Sequence, residues 1–134
     1  MRDFALDPRL AAETVPIKTL ELSLACLRDD ARAPWVILVP QRPGLMELHD
    51  LFPDERVALI DEIAAVSAAV ADVTGALKIN VGALGNVVRQ LHVHVVARNE
   101  GDFAWPGPVW GVGARVAMAP ADRETLAREL AARL

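Results

Sequence analysis

A chain of 134 residues, 53% of them hydrophobic and 24% charged, is long enough to fold as one ordered domain around a buried core. Its net charge of −4 argues against the basic surface of a nucleic-acid-binding protein, and no apolar run approaches the roughly 20 residues that span a bilayer. Residues 1–16 lack the apolar stretch of a secretory signal, and Cys26, as the single cysteine, excludes a disulfide within the chain. We therefore expect a cytoplasmic protein that binds neither nucleic acid nor membranes.

The first half of the chain predicts two strands followed by a long helix. Alternating apolar and polar residues over 19–30 are typical of a half-buried strand, and the apolar run 34–40, bounded by prolines, is typical of a buried one. The helix is expected to begin at Pro53 and to end at Gly75, because proline suits the first turn and glycine the left-handed stop. Its apolar stripe consists of Leu59, Ile63, Val66, Val70 and Val73.

The second half predicts two more strands, 76–81 and 89–98, then a loop over 99–113 and a closing helix over 121–134. The helix carries an apolar face made of Leu126, Leu130 and Leu134. Strands on both sides of a long helix favour an α+β fold with a mainly antiparallel sheet, in a single domain over 1–134.

Two of the three histidines, His92 and His94, lie two residues apart in the predicted strand 89–98. Because side chains alternate between the faces of a strand, they share one face with Gln90. The opposite, core-facing row consists of Arg89, Leu91, Val93 and Val95. Neighbours on one face are about 6.5–7 Å apart, too far for the imidazoles to stack but close enough for both to reach one phosphate.

The spacing leaves three interpretations of this histidine pair open. The histidines could be half-exposed on a solvated sheet face. They could bind a metal ion, with His49 as a third ligand if its loop folds over the strand. Finally, one neutral imidazole could act as a nucleophile while a second imidazolium protonates a leaving oxygen.

The segment QLHVHVVAR resembles the motif of the histidine-triad (HIT) superfamily, in which three histidines alternate with apolar residues. The resemblance implies that His92 is the nucleophile and that His94 contacts the scissile phosphate and assists the leaving group. Gln90 takes the first triad position. Together with the tail FAWPGPVWG, QLHVH is similar to a bacterial subgroup that has glutamine there.

The resemblance extends over residues 20–98. In WVILVPQRPGLMELHDLFPDE, His49 takes the position of a fourth histidine beside the site, and in GNVV, Gly85 and Asn86 take phosphate-loop positions. Asn80 matches an asparagine that contacts the nucleotide. The resemblance also implies a HIT-like fold, with a five-stranded, mainly antiparallel sheet, one long helix and a C-terminal helix. Such proteins are commonly homodimers that join their sheets.

The implied reaction is attack on the α-phosphate of a purine nucleotide conjugate, through a covalent nucleotidyl-histidine that water hydrolyses. The substrate classes are dinucleoside polyphosphates, nucleoside phosphoramidates and adenylylated molecules, and no metal or other cofactor is required. A backbone carbonyl on the same strand can hold the non-attacking nitrogen of His92. Since strand alternation turns Arg89 to the core, we expect neutral donors at Gly85 and Asn86, and His94 as imidazolium, to balance the phosphate charge.

Two departures from the family pattern favour an alternative, a nucleotide-binding module with little turnover. Gln90 replaces an ionisable group with a neutral amide, and Val87 replaces a hydroxyl donor, which could cost roughly 1.5–3 kcal/mol of phosphate stabilisation. Trp105 and Trp110 in the loop after the motif could close over a base or pack within their own domain.

Overall fold

A five-stranded antiparallel sheet forms the centre of the fold in the computed structural model, which describes residues 3–134. The strands are β1 (Thr14–Thr19), β2 (Ser23–Arg28), β3 (Trp35–Pro40), β4 (Lys78–Gly82) and β5 (Val93–Arg98). The helices are α1 (Pro8–Glu13), α2 (Pro53–Thr74) and α3 (Pro120–Ala131), with a short 3₁₀ turn at Leu48–Asp50. The order across the sheet is β1-β2-β3-β5-β4, and every neighbouring pair is antiparallel. The predicted α+β fold is confirmed.

The ends of α2 follow from local chemistry, as the sequence indicated. Pro53 opens the helix, and the Glu55 carboxylate accepts a hydrogen bond of 2.8 Å from the backbone N–H of Phe52. Gly75 ends it with a φ of 67°, in the left-handed region that glycine enters without strain. The helix packs on one face of the sheet, where its Leu59, Val66 and Val70 join the larger core cluster.

The opposite face of the sheet is also covered. A second buried cluster includes Leu10 of α1, Trp35, Ile37 and Val39 of β3, Val96 of β5 and Val109 of the following loop. Every residue of β3 and β5 is buried as a result. The face that carries His94 is therefore enclosed by α1 and by the loop that follows β5.

Two elements differ from the predicted pattern. Strand β1 was not expected from the sequence, because Pro16 interrupts the hydrophobic alternation. In the structure, the pairing of β1 with β2 shifts register between Pro16 and Lys18. Proline is tolerated there because β1 is an edge strand of the sheet. The predicted strand 89–98 enters the sheet only at Val93, and residues 83–92 form a loop. Within residues 3–134, none of the helices has the length and apolar character needed to cross a membrane.

Candidate active site

His92 and His94 lie where the loop before β5 enters the sheet. Both are buried, with 6% and 8% of their surfaces exposed, so the interpretation as a solvated sheet face is wrong. Their ring centroids are 5.0 Å apart at an angle of 68°, an edge-to-face contact. The rings do not stack, but they are closer than the backbone spacing suggests, because that spacing does not fix the direction of the side chains.

A backbone carbonyl fixes the tautomer of His92. Its Nδ1 lies 2.6 Å from the carbonyl oxygen of Gln90. Since a carbonyl can only accept, Nδ1 carries a proton, and in the neutral ring the lone pair is on Nε2. This is the arrangement expected from the sequence, and it depends on the backbone of Gln90 rather than on its side chain.

His94 is held in the opposite tautomer. The indole Nε1–H of Trp35 donates a hydrogen bond of 2.8 Å to its Nδ1, so the proton resides on Nε2. Burial lowers the pKa of His94 to about 3, and the electrostatic influence of neighbouring His92 and Arg28 acts in the same direction. The expectation of an imidazolium at this position is therefore wrong. His94 is neutral and offers an N–H donor.

The histidine pair lines a cleft of about 580 Å³, between the loop 83–92 and the α1 side of the sheet. Gly85 and Asn86, which the sequence places in a phosphate loop, line the same cleft. Gly85 has a φ of 74°, which favours glycine over any residue with a side chain. On its other side, His92 borders a second cavity of about 240 Å³, where His49 is found.

The HIT domain family model matches residues 10–101 of the chain, which include both histidines and most of the residues that line the cleft. The chain belongs to the HIT family. No protein of curated function matches it.

Solved structures of bacterial HIT proteins resemble the whole chain. A histidine triad protein from Sinorhizobium meliloti is 48% identical, with a TM-score of 0.95, and the match covers 98% of this chain and 97% of that one. One from Bradyrhizobium japonicum is 40% identical, with a TM-score of 0.95 and 98% of each chain covered. One from Marinobacter aquaeolei is 38% identical, with a TM-score of 0.95, covering 99% of this chain and 97% of that one.

The side chain at the first triad position of this HIT protein binds the N-terminal segment. The Gln90 amide accepts a hydrogen bond of 2.8 Å from the backbone N–H of Asp7 and donates one of 2.8 Å to the carbonyl of Ala5. Arg9 in turn donates to the carbonyl of Val87, at 3.0 Å. The side chain of Gln90 thus connects the segment before α1 to the loop 83–92, which carries His92.

Three other residues singled out from the sequence lie apart from the histidine pair. The side-chain Oδ1 of Asn80 accepts a hydrogen bond of 2.8 Å from Arg98, and Asn80 borders neither cavity beside His92. The His49 side chain is 81% exposed. Arg89 is exposed beside Asn86, so its predicted core orientation is wrong, because strand alternation does not apply in a loop.

The metal interpretation finds no support in the arrangement of the side chains. His49 borders the smaller cavity and His94 the larger one, with His92 between them. Across residues 3–134, no three His, Cys, Asp or Glu side chains are grouped closely enough to hold a metal ion.

The tryptophans of the loop 99–113 pack within the domain. The ring of Trp110 contacts His94 edge to face, with centroids 5.7 Å apart. Trp110 also packs against Gly82, where a Cβ atom would lie only 2.7 Å from the indole ring. The ring of Trp105 faces the guanidinium of Arg98. The side chain of Arg98 is only 1% exposed and forms an ion pair with Asp102 at 2.7 Å. This buried ion pair anchors the loop that places Trp110 against His94.

Two residues of the site were missed in the sequence. Trp35 binds His94, and Arg28 lines the cleft of the histidine pair. The pairing register of β2, β3 and β5 is the feature that identifies them. Ile37 pairs with both Cys26 and His94, so alternation along β2 and β3 puts Arg28 and Trp35 on the face of His94.

Proposed function

We propose that this HIT protein is a nucleotide hydrolase or nucleotidyltransferase that attacks the α-phosphate of a purine nucleotide conjugate with His92. The observation that carries the proposal is the hydrogen bond from Nδ1 of His92 to the Gln90 carbonyl. In the neutral ring this bond places the proton on Nδ1 and leaves Nε2 as a nucleophile that needs no base to activate it. Its position between two cavities gives the two parts of a conjugate, nucleotide and leaving group, separate places to bind.

The reaction proceeds in two displacements. Nε2 of His92 forms a bond to the α-phosphorus, and the bond from phosphorus to the leaving atom breaks, with the electron pair passing to that atom. Nε2–H of neutral His94 donates a hydrogen bond to a phosphate oxygen or to the departing atom. Water then attacks the nucleotidyl-histidine, loses a proton, and releases the nucleotide and free His92. Backbone N–H groups at Gly85 and the Asn86 amide bind the phosphate oxygens.

The roles of Asn80 and His49 also belong to the proposal. We expect Asn80 to act through Arg98, which it binds, rather than by direct contact with the phosphate. His49 borders the smaller cavity and is placed to contact the group bound there.

The alternative, a nucleotide-binding module with little turnover, is favoured by one observation. His94 is neutral, since its Nδ1 accepts from Trp35, so the site holds no imidazolium to protonate a leaving group. Substrates whose leaving group is stable as an anion need no such proton, whereas amine leaving groups do.

The test is incubation with a panel of adenosine and guanosine phosphoramidates, dinucleoside polyphosphates and aminoacyl adenylates. We expect a mass increase of one nucleotidyl group on intact protein after rapid quenching, and none in His92→Ala. Calorimetric binding of AMP and GMP is measured in parallel. Binding without any covalent adduct or product supports the binding module, and equal turnover by wild type and His92→Ala overturns the mechanism.

We further propose a homodimer in which the sheets join. Strand β4 is an edge of the sheet, and Leu77 before it and Val81 within it are 61% and 47% exposed. An exposed edge with apolar side chains is a site for pairing with a second strand. Light scattering after gel filtration should give twice the chain mass of 14.5 kDa, and a monomer at all concentrations would contradict the pairing.

A further inference from the structure

Arg28, the last residue of β2, is a partly buried cation with an unused hydrogen-bond donor. Its side chain is 18% exposed, and its Nε is fully buried without a hydrogen-bond partner. The guanidinium stacks on the ring of Trp35, with Cζ 4.1 Å from the centroid. This stacking fixes its orientation and leaves its N–H edges for another partner.

The nearby carboxylates do not accept a hydrogen bond from Nε of Arg28. The closest, Asp30, is 3.8 Å from Nε of Arg28, beyond hydrogen-bonding distance. Its oxygens accept from Nε of Arg32 at 3.0 Å and from a terminal nitrogen of Arg32 at 2.8 Å. Glu13 also borders the cleft and attracts Arg28 only at longer range. Burial lowers the pKa of Arg28 and outweighs the opposing attraction of Asp30 and Glu13, so an anionic ligand at this position would stabilise the cation.

Arg28 borders the cleft that both histidines line. Trp35 connects them, since its N–H binds His94 while its face supports the guanidinium. The charge of Arg28 also contributes to the low pKa of His94. The indole therefore contacts both the cation and His94, and Arg28 faces the same cleft as the histidine pair.

We propose that Arg28 binds a second phosphate of the substrate, in addition to the one that His92 attacks. The planar guanidinium offers paired N–H donors that match phosphate oxygens, which makes arginine the common partner of such groups. The inference rests on the proposed function and narrows its substrate class to nucleotides with two or more phosphates. Nucleoside phosphoramidates with a single phosphate would leave Arg28 without its anionic partner.

The experiment measures binding by calorimetry in the His92→Ala background, which prevents turnover. The ligands are AMP, ADP and adenosine 3′,5′-bisphosphate, with GMP and GDP as the guanine series. ADP carries its second phosphate on the 5′ phosphate, and the bisphosphate carries it on the 3′ oxygen of the ribose. Comparing the two ligands shows which position of the second phosphate Arg28 recognises. Arg28→Gln removes the guanidinium, and Arg28→Lys keeps the charge without the paired donors. Arg115→Gln is the matched control, because it removes a nearby arginine that pairs with Asp29 and does not border the cleft.

We expect a second phosphate to tighten binding at least tenfold in the parent and in Arg115→Gln, and less than threefold in Arg28→Gln. Arg28→Lys should give an intermediate ratio. AMP binding reports that each variant keeps a folded site. An unchanged ratio in Arg28→Gln, or no preference for a second phosphate in a parent that binds AMP, overturns the inference alone. Failure of every nucleotide to bind the parent overturns the proposed function as well.

Discussion

Acidification should destabilise this protein through His94 more than through any exposed histidine. The folded state holds His94 with a pKa of about 3, because the ring is buried and lies near His92 and Arg28. The unfolded chain takes up the proton near the ordinary value of 6.5. Between these two values the unfolded state binds more protons, so stability is complete above about pH 6.5 and is lost as the pH falls towards 3. From pH 7 to pH 4 the loss amounts to about 3 kcal/mol.

The assay is urea unfolding of wild type and His94→Asn at pH 7 and pH 4. Asparagine removes the titrating ring and keeps an oxygen that can accept from Trp35. The loss of unfolding free energy on acidification should be about 3 kcal/mol smaller in His94→Asn, since carboxylates contribute equally to both proteins. His49→Asn makes the same change at a side chain that is 81% exposed and should retain the wild-type loss. Equal losses in wild type and His94→Asn would refute the neutral, indole-bound state of His94.

Three further substitutions probe the surroundings of the pair. Trp35→Phe leaves Nδ1 of His94 buried without a hydrogen-bond donor. The loss of this hydrogen bond should lower the free energy of unfolding in urea by roughly 1–3 kcal/mol, and an unchanged midpoint would contradict the bond between Trp35 and His94. Gly82→Ala puts a methyl group 2.7 Å from the Trp110 ring and should cost about 1–3 kcal/mol and change the tryptophan fluorescence, whereas an unaltered spectrum argues against the contact. Gln90→Ala should speed amide exchange at Asp7, whose N–H it binds, and leave the His92 adduct intact, because the tautomer depends on the backbone; loss of the adduct with unchanged exchange would reverse that assignment.

The fold was largely predictable because its long elements carry strong local signals. The α2 boundaries follow from Pro53 and Gly75, and β3 from an apolar run between prolines. Strand β1 was not predictable from alternation, since Pro16 interrupts it and its place at the sheet edge is decided by pairing with β2. The five-strand count came from the family resemblance instead.

The histidine pair could be predicted from the sequence, but the state of each ring could not. Alternation indicated the shared face, and the resemblance implied which histidine would be the nucleophile. The neutral state of His94 depends on Trp35, 59 residues away in sequence, and the cleft contains Arg28 from a third strand. Contacts of this kind depend on the register between strands, which a hydrophobic pattern does not encode.

Differences in bonding partners, rather than in residue type, give the two histidines different chemistry. A carbonyl at Nδ1 of His92 makes that nitrogen a donor and leaves a lone pair at Nε2. An indole at Nδ1 of His94 makes that nitrogen an acceptor and leaves an N–H at Nε2. The pair therefore offers a lone pair and a hydrogen-bond donor on two rings whose centroids are 5.0 Å apart. Neutral His94 adds no positive charge to balance a phosphate, and Arg28 is the partly buried cation that the same cleft provides.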